Sequence, residues 1–331
     1  MPAEWMPATE KEVYRVSDAW VAVLSGGLSH EREVSLRSGR RLSAALRTSG
    51  LTVDEWDVDA NLVGRLRDKR RPDAVIVALH GGEGENGAVQ NVLEMLQVPY
   101  VGTDPRACRR AWDKPTAKAE LMRAGLSTPD WVVLPHSTFR ELGAQAVLDA
   151  MVERLGLPLM LKPDQGGSAL GAQVVREAAQ LPAAMVGCLA YGETVLAERF
   201  VDGIEVSVSV IDGPDGPEAL PAVEIDPENG VYDYTARYTA GLTTFHAPAR
   251  LDSSTAATVG QLAVTAHRLL GLRDVSRTDA IVDPDGEVQF LEVNVSPGLT
   301  ETSLLPMAVE AAGRSLGDVF SGLVDRALAR S

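Results

Sequence analysis

Two short, unbroken apolar runs stand near the start of the chain, at residues 20–24 and 74–79, and each stops at a glycine-rich turn. Helical spacing follows both: Val34, Leu42 and Leu46 after the first, Val89, Leu93 and Leu96 after the second. Continuous apolar runs that alternate with helices predict a parallel sheet covered on both faces. Ligands of such sheets collect beyond the carboxyl ends of the strands, where both glycine turns lie. Further along, residues 105–125 carry a helical pattern that Ser127-Thr128-Pro129 ends. Residues 157–162 predict a strand entering the small-residue loop 163–171, and residues 195–200 and 204–211 predict strands parted by Asp202-Gly203. Residues 229–248 have no clear period and are expected to form a mobile loop over a site. A helix started by Ser253-Ser254 and stopped by Gly271, and a last one over 315–330, complete the pattern. No internal repeat or low-complexity segment interrupts it.

This pattern divides the chain into an N-terminal arm (1–18), an α/β unit (19–103), a smaller central unit (104–195) and a C-terminal α+β unit (196–331). The 331 residues, 45% hydrophobic and 23% charged, suffice for two or three domains with real cores. A net charge of −15 argues against nucleic acid and anionic membranes as partners, though not against a local nucleotide pocket. Two cysteines without paired spacing and no secretory signal point to a reducing cytoplasm. No run approaches the roughly 18 apolar residues a membrane span needs.

The chemistry-bearing residues concentrate toward the C-terminus. Arg277-Thr278-Asp279 precedes a strand-like run that ends Glu292-Val-Asn294. Side chains two apart on a strand share a face, so Glu292 and Asn294 point the same way and Asp279 can join them from a neighbouring strand. Few, hard oxygen ligands of this kind suit magnesium that takes its other ligands from water and substrate phosphates. Arg277, on the same face as Asp279, can reach those phosphates; the alternative is a solvated strand face. The loop 166–171, with three glycines, Ser168 and Ala169, lets backbone N–H groups approach phosphate oxygens, and Lys162 stands at the strand end before it. It ends in no Gly-Lys-Ser/Thr and is followed by a hairpin pattern, so it is neither a Walker loop nor a dinucleotide fingerprint; a plain glycine-rich hairpin is the other reading. Glu198, Phe200 and Val201 form a strand end able to pair with an adenine edge, and Glu205 could bind ribose hydroxyls. Glu31 opens the first helix, either complementing its dipole or holding a substrate ammonium.

The segments 26–35 (Gly-Gly-Leu-Ser-His-Glu-Arg-Glu-Val-Ser) and 79–87 (Leu-His-Gly-Gly-Glu-Gly-Glu-Asn-Gly), Asp113-Lys114, Lys162 with its loop, 232–238 (Tyr-Asp-Tyr-Thr-Ala-Arg-Tyr), Arg277-Thr-Asp279 and 292–298 (Glu-Val-Asn-Val-Ser-Pro-Gly) occur in the order found in D-alanine–D-alanine ligases. The resemblance covers residues 19 to 329. It implies a three-segment ATP-grasp architecture with a Rossmann-like N-terminal parallel sheet, and ligation of two D-alanines through an acyl phosphate formed from ATP. It further implies that Glu31 anchors the first ammonium, with Ser168 and Tyr238 as its hydrogen-bonded partners, and that Arg277 stabilises the oxyanion and phosphoryl group. His80, Ser303 and Leu304 fall among the substrate-binding residues. Lys114, Lys162, Ser168 and Arg237 are expected at the phosphates, and Glu198, Phe200, Val201 and Glu205 around the adenosine. Asp279, Glu292 and Asn294 would bind two magnesium ions, for which manganese can substitute, and the family precedent is a homodimer. Three positions depart from the family pattern: Ala169 replaces a frequent serine, Arg237 a usual lysine and Asn86 a frequent aspartate. The competing readings are a related ligase joining another amino-acid pair and, from a different class, a non-catalytic ATP-binding regulator.

Overall fold

The computed structural model describes residues 19–330, the side chain of Tyr238 excepted; the expected arm, 1–18, lies outside them. The two early apolar runs become β1 (Trp20–Ser25) and β3 (Ala74–Val77), which together with β2 (Thr52–Asp57) and β4 (Tyr100–Val101) form a parallel sheet in the order β2-β1-β3-β4. Its helices are α1 (Arg32–Thr48), α2 (Leu62–Leu66) and α3 (Ala88–Met95). The carboxyl end of β1 leads to Glu31 and that of β3 to His80, so the parallel topology delivers both side chains to one edge.

The helical stretch expected at 105–125 is two helices, α4 (Pro105–Trp112) and α5 (Lys114–Arg123). They break at Asp113, whose carboxylate accepts a hydrogen bond from Thr116 N and caps α5. A second sheet of β5 (Trp131–Pro135), β6 (Leu159–Pro163), β7 (Gln173–Val175) and β8 (Thr194–Arg199) runs antiparallel in the order β5-β8-β6-β7. Of its helices α6 (His136–Leu142), α7 (Ala144–Leu155) and α8 (Leu181–Leu189), the last two close its core around Leu159, Leu161 and Ala197. Strand β8 crosses the 195/196 boundary expected from the sequence. The first part of the 104–195 span also packs elsewhere: Ala107, Cys108, Ala111, Ala117 and Leu121 share a core with Val206, Val208 and Phe290 of the C-terminal part. Periodicity reveals which face of a helix is apolar, not what covers that face.

The third sheet, β9 (Ile204–Gly213), β10 (Gly216–Ala219), β11 (Val223–Pro227), β12 (Thr243–His246), β13 (Val275–Val282) and β14 (Val288–Asn294), runs β12-β11-β9-β13-β14, with β10 paired to β9. The stretch expected as a patternless loop, 229–248, instead holds helix α9 (Tyr234–Tyr238) and β12, which pairs with β11. Asp233 caps α9 and Thr243 Oγ1 donates to Ala236 O, local bonds that a search for periodicity does not detect. Helix α10 (Ser253–Leu269) is capped by Asp252, one residue before the expected serines. After α11 (Leu304–Ala311), α12 (Leu316–Ala329) returns to lie on α1, so that Val23, Leu42 and Ile76 share one core with Leu305, Phe320 and Val324.

Asp274 fastens this return. It is fully buried, accepts from Gly102 N and takes both terminal nitrogens of Arg330 at 2.7 and 2.8 Å, joining the N-terminal sheet, β13 and the end of α12. Removing one member of a buried charge pair strands the other. Asp274→Ala should therefore lower the unfolding free energy by about 2–3 kcal/mol, read from urea denaturation midpoints; an unchanged midpoint would contradict a fastening role.

Candidate functional site

The register of the third sheet sets Asp279 directly opposite Glu292 and Arg277 opposite Asn294. Equal parity puts the four side chains on one face. Arg277 forks onto Asp279, with Nε donating to Oδ1 at 2.9 Å and Nη2 to Oδ2 at 2.8 Å, while Ser207 Oγ donates to Oδ1 at 2.8 Å. Lys114 Nζ lies 3.5 Å from Glu292 Oε2 and donates to Gly166 O at 2.7 Å, tying the start of α5 to the glycine-rich loop. Lys162, on β6, reaches Glu198 Oε2 on neighbouring β8 at 2.6 Å.

Charge and burial act against each other across this face. Burial alone would raise the Glu292 carboxyl, but Lys114, Lys162, Arg237 and Arg277 pull it down to about 2. Burial, with like charge from Asp279 and Glu292, pushes Glu205 up to about 7 against the pull of Arg237. All of these groups but Arg277 line a cavity of about 580 Å³ that extends to Phe200, Val201 and Gly203 at the end of β8. Its size is that of a small-molecule or cofactor pocket. The oxygen donors of Asp279, Glu292 and Asn294 suit a hard cation. Among the described residues the Glu292 carboxylate accepts no hydrogen bond, and Asp279 Oδ2 accepts only one, so both retain lone pairs for a metal. Asn294 Oδ1 accepts from Ser296 N at 2.7 Å, which fixes the direction of its amide.

A smaller cavity, about 90 Å³, adjoins the first, with Tyr232 and Arg237 in the wall of both. Glu31, His80, Ser168, Arg277, Asn294 and Ser303 line it. Glu31 stands at the start of α1 and accepts the Ser168 hydroxyl. Its carboxylate is gripped by two glycines: a Cβ at Gly81, where φ is +68°, would lie 2.4 Å from Oε2, and one at Gly167 would lie 3.0 Å from it. Ser168 and Ala169 both take left-handed backbone, with φ of 53° and 54°, an uncommon state for residues with a Cβ. Ser303 precedes α11; its Oγ accepts from Thr300 N, and the helix N-terminus carries no side-chain cap.

His80, expected to bind substrate, has both ring nitrogens engaged by the protein. Nδ1 lies 2.9 Å from Ser296 O and Nε2 2.8 Å from Ser38 Oγ. The carbonyl can only accept, so Nδ1 carries the proton and Nε2 accepts, which makes the ring a neutral brace in the cavity wall.

Two family models match this chain: the D-ala D-ala ligase N-terminus over residues 54–103 and the D-ala D-ala ligase C-terminus over residues 121–325. The chain belongs to the D-alanine–D-alanine ligase family. A D-alanine--D-alanine ligase of Anaeromyxobacter dehalogenans is 41% identical over 307 residues, 93% of this chain and 96% of that one. The crystal structure of D-alanine--D-alanine ligase from Bacillus anthracis superposes with a TM-score of 0.80 at 28% identity, covering 94% of this chain and 98% of that one. The VanG D-Ala:D-Ser ligase of Enterococcus faecalis superposes with a TM-score of 0.78 at 27% identity, covering 94% and 99%. The family fixes the ATP-grasp architecture, and with it ATP as the co-substrate class.

The larger cavity brings together Lys114, Lys162, Glu198, Phe200, Val201, Glu205, Arg237, Asp279 and Glu292. The smaller one gathers Glu31, His80, Ser168, Arg277, Asn294, Ser303 and Leu304. Tyr238 ends α9, and its side chain lies outside the described residues. Lys118 and Glu85 are among the buried ionisable groups that sequence reasoning passed over. Lys118, one helical turn after Lys114, has the spacing that could have exposed it. Glu85, which accepts from Gly81 N, gives no such signal within its glycine-rich turn; burial and the Glu31 charge raise its pKa.

Burial lowers the His80 pKa from 6.5 to about 4. The unfolded chain therefore takes up a proton in this window that the folded chain refuses, and the stability His80 contributes is lost as pH falls from 6.5 towards 4, in all about 3 kcal/mol. The gap in stability between the wild type and His80→Gln should close over that range in urea titrations. A gap independent of pH would rule out a buried neutral imidazole.

Proposed function

We propose that this chain catalyses ATP-dependent ligation of two D-alanines to D-alanyl-D-alanine, releasing ADP and phosphate, for peptidoglycan precursor synthesis in the cytoplasm. The observation that carries this reading is the adjacency of the two cavities. A lysine-lined, nucleotide-sized space shares wall residues with a small one that is lined by both the Glu31 carboxylate and the uncapped start of α11. The kinship with D-alanine--D-alanine ligases, 41% identical in the Anaeromyxobacter dehalogenans case, supports the choice of amino acid.

In this mechanism Glu31 holds the ammonium of the first D-alanine, and the α11 N-terminus, through Ser303 and Leu304, holds the carboxylate of the second. Lys114, Lys162 and Arg237 neutralise phosphate oxygens, while Glu198, Phe200, Val201 and Glu205 receive the adenosine. Two magnesium ions, held by Asp279, Glu292 and Asn294, would supply further charge neutralisation on the phosphates. A carboxylate oxygen of the first D-alanine attacks the γ-phosphorus and ADP leaves. The amine of the second then attacks the acyl carbon and sheds its proton, and the carbon–oxygen bond to phosphate breaks. Arg277, aimed by its fork onto Asp279, stabilises the oxyanion of the tetrahedral intermediate. Ser168, bonded to Glu31, together with Tyr238 on α9, closes the site against water, which would hydrolyse the acyl phosphate. The working form is proposed to be a homodimer.

Incubation of the purified protein with ATP, magnesium and D-alanine should release phosphate and yield a product of D-alanyl-D-alanine mass. Turnover only with another pair, such as D-alanine with D-serine, would replace this reading by that of a ligase of different specificity, for which the VanG D-Ala:D-Ser ligase is the precedent among the structural neighbours. Arg277→Ala should lower kcat by at least about 100-fold while leaving ATP affinity within a few fold. Near-normal ligation by that variant would remove Arg277 from the oxyanion.

A further inference from the structure

Lys118 is among the largest fully buried side chains of the described residues, with 0% of its surface exposed, and nothing proposed above uses it. Its ammonium lies 2.5 Å from Glu198 Oε1 and donates to Thr128 Oγ1, which in turn donates to Phe290 O. The other oxygen of Glu198 faces Lys162, 2.6 Å away. One buried carboxylate is thus held between two ammonium groups, and only one of them, Lys162, borders the larger cavity; Lys118 lies behind it. Glu198 itself borders the cavity although it is only 2% exposed, and its Oε1 receives no hydrogen bond of normal geometry despite the close ammonium. Burial would raise the Glu198 carboxyl, but Lys162 and Lys118 hold it below its usual range.

We infer that Lys118 is a positioning residue that keeps Glu198 an ionised, acceptor-only group, and thereby makes the site select a 6-amino purine over a 6-oxo purine. The inference rests on the nucleotide reading of the larger cavity. Phosphate oxygens compete with Glu198 for Lys162 and draw that ammonium away. Oε2 is then free to accept a hydrogen bond from an exocyclic amine. A 6-oxo base would set an oxygen against a carboxylate instead, leaving two acceptors without a proton between them. With Lys162 gone, only Lys118 offsets the cost of keeping Glu198 charged in a dry site. Without Lys118 the group would gain a proton, and a neutral acid can donate to a 6-oxo base, which erases the preference. An ion pair retained only for stability would have a simpler substitute, because well-packed apolar residues of similar volume commonly do as well.

The test is calorimetric titration of the full chain with ATP and with ITP in the presence of magnesium and without amino acids, in the wild type, Lys118→Met, Glu198→Gln and the double variant. The wild type should prefer ATP, and Lys118→Met should reduce the ATP-to-ITP affinity ratio by about 10- to 100-fold, the value of a hydrogen bond to a charged acceptor. Glu198→Gln, whose amide can present either a donor or an acceptor, should lose the preference to a similar degree, and adding Lys118→Met to it should lower the ratio no further. A folded Lys118→Met protein with the wild-type ratio would overturn the inference, as would a further fall in the double variant. If Lys118→Met does not fold by circular dichroism, the comparison of Glu198→Gln with the double variant, which buries no unpaired carboxylate, decides the matter alone. A wild type that binds neither nucleotide overturns the nucleotide reading itself, and this inference with it.

Discussion

Buried charge must be matched within the protein, because an unpaired ion out of reach of water costs several kcal/mol. The interior of this site is organised around that constraint. Lysine alternates with carboxylate from Lys118 through Glu198 to Lys162, and again from Lys114 to Glu292, while Arg277 and Asp279 close on each other. Each lysine–carboxylate pair joins different elements: α5 with β8, β8 with β6, α5 with β14. The chemistry and the assembly of the central and C-terminal sheets therefore draw on the same contacts. A phosphate-bearing ligand entering the larger cavity would meet ammonium groups already largely desolvated and held by carboxylates.

The smaller cavity follows a different logic, in which shape does what charge does elsewhere. Gly81 and Gly167 leave room for the Glu31 carboxylate and for nothing larger, and Ser168 reaches it from a loop whose backbone is left-handed at two successive side-chain-bearing residues. His80 and Ser38 brace the wall from behind, binding Ser296 O and Leu299 N across the interface between the N-terminal and C-terminal sheets. The site thus has a rigid side, formed by paired strands, and a side formed by loops that carry their own backbone tension.

What the sequence revealed and what it withheld divide along physical lines. Strand parity paired Arg277 with Asp279 and Glu292 with Asn294, and left it open that Asp279 could join from a neighbouring strand; the register of β13 on β14 puts both pairs on one face. The two central strands of the parallel sheet were legible because they are buried on both faces; the edge strands β2, where Val53 is the sole buried side chain, and β4, only two residues long, escaped. The contact of Ser168 with Glu31, 137 residues apart, has no local signal and came through family resemblance alone. Lys118 escaped because a lysine in a helix ordinarily faces water. Helix α9 and strand β12 were missed because neither carries a periodic apolar face: the Asp233 cap starts α9, and β12 is held by its pairing with β11.

The return of α12 to the first sheet has a consequence for how the chain is made. One face of that sheet, with Val23 and Ile76, shares its core with Leu42 of α1 and with Leu305, Phe320 and Val324, which lie more than two hundred positions further along the chain. On the ribosome the N-terminal strands emerge long before the helices that cover them. During that interval the half-built sheet exposes apolar surface of the kind that chaperones bind. The N-terminal sheet is thus synthesised well before the helices that complete its core.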